Sequence, residues 1–297
     1  MLYGVDEREA MAVTYAALKE KKCVPMNVTI SGSHLYGFNS PDSDVDFRGS
    51  YLCDIRHILG INKPAWAPGV SVVDPKGSMD VTSKSSGVKG GQIDIIKRDG
   101  RGEIIYDVVL FEIEKEIRLA LKGNCNVIEQ MFAPQVYVHP AYEPVKRLVS
   151  SCFGKKGICD SYRGMAYENY LKFTKQGKKT TKKYLYIMRG LMAGIHALET
   201  GKVEANIEKL NEGYFRIPEV EYLIEKKRQG KENDPVGITN ILKVEQRMES
   251  MFDEIDAAYA KSDLQEFPTQ EQMAEASELV MMLRLKAYEG KVLAPLL

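Results

Sequence analysis

The spacing of apolar residues changes near residues 139–143, and this change constrains the fold more than any other feature of the sequence. Before it, short β-type runs alternate with segments of helical spacing. After it, the apolar positions keep a helical period almost throughout, which is typical of packed helices. Pro140 and Pro144 interrupt the pattern at the change. The sequence therefore predicts an α+β fold, with a small mixed β-sheet domain at 1–140 and an all-helical domain at 141–297.

Local patterns predict the individual elements. The sequence predicts strands at Val24–Ile30 and Val45–Leu52, and a hairpin formed by Gln92–Ile96 and Glu103–Leu110. Residues 74–91 are rich in Gly, Ser, Lys and Asp, and we expect them to form a mobile loop. The predicted helices are 5–20, 111–122, 125–132, 141–151, 160–175, 180–199, 203–211, 217–228, 238–261 and 269–289.

The charge balance limits the functions open to the chain. Lys+Arg and Asp+Glu both number 41, so the net charge is zero, which argues against a protein that coats or packages nucleic acid. The five cysteines form no C-x-x-C pair, and we expect no zinc site. The sequence shows no signal peptide and no apolar run of bilayer-spanning length. We therefore expect a cytoplasmic protein without a membrane partner.

A Gly-Ser corner, Gly32-Ser33, comes directly after the first predicted strand and precedes a short predicted helix. Gly32 would let a phosphate approach the backbone closely. The free amides at the start of the helix, together with the Ser33 hydroxyl, would form a cradle for an anion. Such a corner alone is often only a turn, so its interpretation depends on the residues downstream of it.

The second motif is Asp44-Val45-Asp46, at the start of the next predicted strand. Strand alternation places Asp44 and Asp46 on the same face, where two carboxylates repel each other unless a cation lies between them. Mg²⁺ suits such an oxygen-only site, and Mn²⁺ could replace it. The alternative is a solvated strand face beside a turn. The upstream Gly32-Ser33 favours a site for two metal ions and a phosphate.

Two-metal phosphoryl chemistry usually needs another carboxylate. Asp107 lies inside the apolar run 104–110, where a charge is costly unless it is paired or metal-bound. Asp94, on the other strand of the predicted hairpin, is the alternative. Asp107 is favoured because its strand is the more apolar and therefore the more central one. Glu112 is expected to begin the next helix, where a carboxylate interacts favourably with the helix dipole.

Several lysines and one arginine cluster around the predicted helix 180–199. Lys182, Tyr186 and Arg189 have the spacing of one helical face, which could bind nucleotide phosphates and stack on a base. The alternative is a solvated basic helix end, which we favour for most of these lysines. Lys183 and Arg189 are the two that we predict to contact the nucleotide.

The motifs resemble those of a known family. Gly32-Ser33 with Tyr36-Gly37, then Asp44-Val45-Asp46, then Arg48-Gly49, are similar to polymerase-β-type nucleotidyltransferases, in particular the RNA-repair-associated proteins found beside RNA ligases. The resemblance continues through the runs 107–112, 121–124, 162–166, 183–189 and 261–264. Two positions depart from the family pattern: Cys125 stands where proline is usual, and Glu112 stands where aspartate is common.

The resemblance implies a mixed-sheet catalytic domain and a helical domain that closes over the nucleotide. It implies that Asp44, Asp46 and Asp107 hold the metals and that Gly32 and Ser33 hold the phosphates. The expected reaction is transfer of NMP from an NTP to an acceptor hydroxyl, with an RNA 3′ end as the expected acceptor and an RNA ligase as an associated protein. A hydroxyl of a protein or small molecule, or a catalytically silent nucleotide sensor, remains an alternative.

Overall fold

The computed structural model describes residues 7–40, 43–61, 63–64, 67, 92–98, 104–176, 179–230 and 241–291. The predicted loop at 74–91 lies outside these residues, as does the connection of the predicted hairpin.

The described residues contain one five-stranded sheet. Its strands are β1 (Val24–Ser31), β2 (Val45–Leu52), β3 (Gln92–Arg98), β4 (Ile104–Glu112) and β5 (Gln135–Val138), in the order β3-β4-β2-β1-β5. β2 and β4 are parallel, and the other neighbours are antiparallel, so the sheet is mixed and the predicted α+β class is confirmed. Sequence analysis missed β5, because four residues are too short for a period of two to stand out.

The two faces of the sheet differ in polarity because side chains alternate along each strand. One face is apolar and packs against α1 (Glu7–Glu20) through Leu18. Its buried residues are Val28, Ile30, Phe47, Tyr51, Val108 and Leu110. The opposite face carries polar side chains at the centre of the sheet, among them Ser31, Asp46, Arg48 and Asp107. The apolar face therefore anchors the sheet in the core, and the opposite face presents the polar side chains.

The helices confirm the predicted helical second half. In the first half, α1 is followed by α2 (Gly32–Tyr36), α3 (Ile55–Leu59), α4 (Ile113–Leu121) and α5 (Cys125–Phe132). In the second half lie α6 (Glu143–Ser151), α7 (Lys155–Gln176), α8 (Thr181–Thr200), α9 (Ile207–Leu210), α10 (Pro218–Gln229), α11 (Ile241–Lys261) and α12 (Gln270–Tyr288). The prediction for 203–211 was too long. The Asn206 side chain accepts hydrogen bonds from the amides of Glu208 and Lys209, so α9 begins only at Ile207.

A hydrophobic cluster centred on α8 extends across the predicted domain boundary. It joins Met26, Leu35 and the helices α4 and α5 to α7, α10, α11 and α12. The last strand ends at Val138, but the apolar packing continues past residue 140 without a gap. The division at 140 therefore stays a prediction. None of the helices in the described residues is long and apolar enough to cross a bilayer.

Glu116 of α4 is buried beside Ser50 of β2 and Tyr142. Neither of its carboxyl oxygens has a hydrogen-bond partner of good geometry among the described residues. Burial raises the pKa of Glu116 from an ordinary value of 4.5 to about 7, Ser50 and Tyr142 oppose this shift, and the charge of Glu112 adds to it. The folded protein therefore favours the neutral acid at this position.

We expect folding stability to fall as the pH rises from 4.5 to about 7, because the unfolded chain releases the Glu116 proton first. Above this window the folded state carries a buried charge, at a cost of at most roughly 3 kcal/mol. Glu116→Gln should abolish this part of the pH dependence. Urea unfolding across the window measures the effect, with Glu278→Gln at an exposed position of α12 as the control. An unchanged slope in Glu116→Gln would contradict the assignment.

Candidate active site

The Gly32-Ser33 corner lies directly against the second motif. Ser31, the last residue of β1, pairs with Asp46 of β2 in the antiparallel register. Gly32 has a φ of +62°, and a Cβ added there would overlap the Asp46 carboxylate. Both the left-handed backbone and the close approach of Asp46 therefore require glycine. Ser33, in the first turn of α2, is buried.

The two central carboxylates are brought together by the parallel pairing of β2 and β4. In this register Asp46 is directly beside Asp107. Asp107 is 59 residues further along the chain than Arg48, and the pairing of these two strands is what brings it to the motif. The structure thus places Asp46 and Asp107 side by side.

Arg48 holds this carboxylate pair together, since two neighbouring negative charges would otherwise repel each other. Its Nη2 is 3.1 Å from Oδ1 of Asp46, and its Nη1 is 3.6 Å from Oδ1 of Asp107. Nη1 also donates hydrogen bonds to the carbonyl oxygens of Phe47 and Asp107, at 2.8 and 2.9 Å. Sequence analysis assigned no role to Arg48. Its position two residues after Asp46, on the same strand face, could have indicated that Arg48 lies beside that carboxylate.

The electrostatics of Asp46 reflect a site in which, among the described residues, the carboxylates outnumber the one nearby positive charge, that of Arg48. Burial raises the pKa of Asp46, the Arg48 guanidinium opposes this shift, and the charges of Asp107 and Asp44 add to it. Asp44 itself is exposed, just before β2 begins. A cation bound here would remove the repulsion that these carboxylates exert on one another.

The alternative carboxylates lie elsewhere. Asp94 pairs with Val109 on β3, one strand further from β2 than Asp107, so the register favours Asp107 as the partner of Asp46. Glu112 caps α4: its carboxylate accepts a hydrogen bond from the Glu114 amide and forms an ion pair with Arg284 at 3.0 Å. The prediction that Glu112 begins a helix is confirmed.

The donor chemistry of the site fits Mg²⁺. Carboxylate oxygens are its preferred protein ligands, and it usually takes one or two of them while water and substrate phosphates complete the shell. Within the part of the chain that the structure describes, no three Asp, Glu, His or Cys side chains are grouped closely enough to enclose an ion by themselves. The Asp46–Asp107 pair therefore matches a metal that arrives with, or is completed by, a phosphate ligand.

A cavity of about 410 Å³ opens over the polar face of the sheet. Gly32, Asp46 and Arg48 line it on the sheet side. Three amide side chains of the α5 segment and three aromatic rings also line it: Asn124, Asn126, Gln130, Tyr36, Phe111 and Tyr186. Sequence analysis identified Tyr186 but missed the amides, because amide residues in a short helix carry no distinctive pattern.

Gln130 is a buried member of this lining. Its side chain is 6% exposed, and its Oε1 has no hydrogen-bond partner among the described residues. A buried acceptor without a partner is unfavourable unless a ligand supplies the donor. The cavity therefore combines a charged side and a side of amides and aromatic rings.

The structure corrects the prediction that Arg189 contacts the nucleotide. The Arg189 side chain is fully buried, its Nη1 is 2.5 Å from Oε1 of Glu129, and its guanidinium lies 3.8 Å from the ring centroid of Tyr36. Helical spacing correctly placed Arg189 on the face of Tyr186, but that face enters the core towards the middle of α8. Arg189 therefore packs in the core against Tyr36, whose side chain lines the cavity.

Lys183 lies half-buried on α8, one turn before Tyr186, and its predicted nucleotide contact stays a prediction. Its neighbour Lys182 places its Nζ over the Tyr186 ring, 5.9 Å from the centroid. The lysine cluster is partly neutralised, because Lys179 forms an ion pair with Glu245.

We expect Gly32→Ala to destabilise the protein and to displace Asp46. The left-handed φ alone costs an alanine about 1–2 kcal/mol, and the new Cβ would force the carboxylate away from Asp107. Mn²⁺ affinity and urea unfolding measure the two effects. Gly164→Ala on α7, where a Cβ would meet no atom within 4 Å, is the matched control. Equal Mn²⁺ affinity in Gly32→Ala and the wild type would contradict this role of Gly32.

Two sequence comparisons match most of the chain. A family model described as the RNA repair pathway DNA polymerase beta family matches residues 16–282. The uncharacterized protein MJ0002 of Methanocaldococcus jannaschii is 28% identical over 268 residues, which cover 88% of this chain and 95% of that protein.

A nucleotidyltransferase-like protein from Exiguobacterium sibiricum 255-15 aligns over 93% of this chain and 79% of its own, with 8% identity and a TM-score of 0.28. That score is too low to support any argument. The family match covers most of the chain and includes the Gly-Ser corner, both strands of the carboxylate pair and the helical half. The chain belongs to the RNA repair pathway DNA polymerase beta family, a family of polymerase-β-like nucleotidyltransferases.

Proposed function

We propose that this protein is a Mg²⁺-dependent, template-independent nucleotidyltransferase. It would transfer NMP from an NTP to an acceptor hydroxyl, which attacks the α-phosphorus while pyrophosphate leaves. The observation that supports this most directly is the pairing of Asp46 with Asp107. Asp46 and Gly32 line a cavity large enough to admit part of a nucleotide.

The charged side of the cavity would bind the triphosphate. The backbone at Gly32 and the Ser33 hydroxyl would contact phosphate oxygens, and Asp46 and Asp107, with Asp44 at the rim, would hold Mg²⁺. Bound Mg²⁺ supplies positive charge to the attacking and leaving oxygens of an in-line displacement. Arg48 keeps the carboxylates paired until metal and nucleotide enter, because it balances their charge.

The opposite side of the cavity would bind the nucleoside. Tyr186, Phe111 and Tyr36 offer aromatic surface for stacking on a base, and the Gln130 Oε1 would accept a hydrogen bond from the bound nucleoside. These groups are uncharged, which matches a neutral base and ribose. We place Lys183, one turn before Tyr186, near the phosphates.

The acceptor hydroxyl that we propose is an RNA 3′ end, in RNA repair or tRNA processing, with an RNA ligase acting on the same RNA. This choice rests on the family, whose description names an RNA repair pathway. The zero net charge means that RNA would be held by a local patch near the cavity and not by the whole surface.

Incubation with Mg²⁺, each α-labelled NTP and a panel of RNA, tRNA, DNA and cell-extract protein tests this proposal. We expect label transfer to an RNA 3′ end and its loss in Asp44→Ala and Asp46→Ala. Asp253→Ala, at an exposed position of α11 outside the cavity lining, is the matched control and should keep full activity.

Transfer that persists in Asp44→Ala and Asp46→Ala would disprove the site. Transfer to protein alone would replace the RNA acceptor with a protein hydroxyl. NTP binding without transfer to any acceptor would instead favour a nucleotide sensor.

A further inference from the structure

A buried lysine links the helical half of the molecule to the loop that precedes the carboxylates. Lys227, in the last turn of α10, is 1% exposed, and its ammonium group donates a 2.6 Å hydrogen bond to Oγ of Ser40. Basic residues in the last turn of a helix are usually exposed, where the helix dipole favours them. Burial of an ammonium group is costly unless its hydrogen bonds are supplied, so the position of Lys227 needs a structural reason.

The hydrogen bonds continue from Ser40 to Ser43. The Ser40 amide donates to Oγ of Ser43 at 3.0 Å, the two hydroxyl oxygens are 3.0 Å apart, and the Ser43 amide donates to the Ser40 carbonyl oxygen at 3.0 Å. Ser43 directly precedes Asp44. A short hydrogen-bonded path therefore runs from α10 to the residue next to the first carboxylate.

A second contact from the same helix holds the end of α2. Arg228 donates from Nη2 to the Gly37 carbonyl oxygen at 2.9 Å and is itself fixed by Glu208 through hydrogen bonds of 2.7 and 2.9 Å. The side chain of Asn206 packs against Gly37, so closely that a Cβ there would lie 2.7 Å from its Oδ1. The helical half thus contacts the segment between Ser33 and Asp44 at two residues, Gly37 and Ser40.

We propose that Lys227 is a positioning residue for the metal-binding carboxylates, acting through Ser40 and Ser43. Its place in the helical half means that the contacts of α10 with Gly37 and Ser40 would fix the approach of the chain to β2. This inference rests on the proposed metal-dependent function. Residues that orient metal ligands without touching the metal commonly change metal affinity by ten- to a hundredfold when they are replaced.

The test compares Lys227→Met, which keeps the length of the side chain, with Lys226→Met at the neighbouring position of α10. Mn²⁺ binding followed by electron paramagnetic resonance should weaken by about tenfold in Lys227→Met. Hydrogen exchange of the Ser40 and Ser43 amides should become faster, while exchange along β4 and its Asp107 should stay unchanged. In a transfer assay, saturating Mg²⁺ should restore most of kcat in Lys227→Met. Lys226→Met should match the wild type in all three measurements.

A second variant keeps the proposal open to refutation if Lys227→Met fails to fold. Ser43→Ala removes the hydroxyl that accepts a hydrogen bond from the Ser40 amide. It leaves the hydrogen bond between Lys227 and Ser40 in place. It should weaken Mn²⁺ binding in the same direction. Wild-type Mn²⁺ affinity in folded Lys227→Met or in Ser43→Ala would overturn the proposal.

The hydrogen-exchange measurement separates failure of this inference from failure of the proposed function. If the wild type neither binds Mn²⁺ nor transfers NMP, the proposed function fails. In that event, faster exchange confined to Ser40 and Ser43 would still support the link from α10, and unchanged exchange would refute it.

Discussion

Replacing Asp107 with asparagine is expected to reduce NMP transfer by roughly a thousandfold. Asparagine preserves the shape of the side chain but removes the negative charge beside Asp46, so a bound metal would lose one of its carboxylate ligands. Asp107 is more than one-third exposed, at 36%, and its loss should therefore change folding stability little. Single-turnover transfer with saturating NTP measures the effect, and urea unfolding of the same preparation verifies the fold.

Asp94→Asn is the matched control for this prediction. Both residues lie on neighbouring strands of one sheet, yet Asp107 pairs with Asp46 across β2 and β4, whereas Asp94 is one strand further away. Asp94→Asn should therefore stay close to wild-type activity. A large loss in Asp94→Asn together with a small loss in Asp107→Asn would reverse the assignment of the third carboxylate.

The largest loss of stability is expected from Arg189→Met. Removing the guanidinium would leave the Glu129 carboxylate buried without a counter-charge, because both side chains are almost completely inaccessible to solvent. Breaking a buried ion pair by deleting one partner typically costs roughly 3–5 kcal/mol. The cation–π contact with Tyr36 would be lost as well. Urea unfolding at neutral pH measures the change in the free energy of unfolding.

The double variant Glu129→Met with Arg189→Met separates the cost of an unpaired charge from the cost of lost packing. We expect it to be more stable than Arg189→Met alone, because replacing both members of a buried pair with apolar side chains is often nearly neutral. If Arg189→Met instead kept its stability and lost NTP affinity, Arg189 would contact the nucleotide directly, and its assignment to the core would be wrong.

Local pattern determined much of the architecture. The helical period after residue 140 predicted the helices of the second half. The β-type runs before it predicted four of the five strands found in the described residues. These features depend on neighbours along the chain, so a single sequence contains them. The helix boundaries near 203–211 failed because a side chain, Asn206, decides where α9 begins.

The motif at Gly32-Ser33 and Asp44-Val45-Asp46 was also readable from the sequence, because its residues lie within a short stretch and strand alternation fixes their common face. The sequence could only rank Asp107 above Asp94 by the apolar character of its strand. The register of β2 against β4 then placed Asp107 beside Asp46, and it placed Arg48 where it reaches both carboxylates.

Tertiary structure alone decided which of the polar residues face the cavity and which enter the core. Arg189 and Lys183 lie on the same helix, and helical spacing cannot tell that the middle of α8 is enclosed on all sides while its start is not. Gln130 and Lys227 carry no sequence signal, because their roles come from packing between elements distant in the chain. The sequence thus determined the elements and the chemistry of the central motif. The long-range contacts, which no local period encodes, decided the remaining walls of the site.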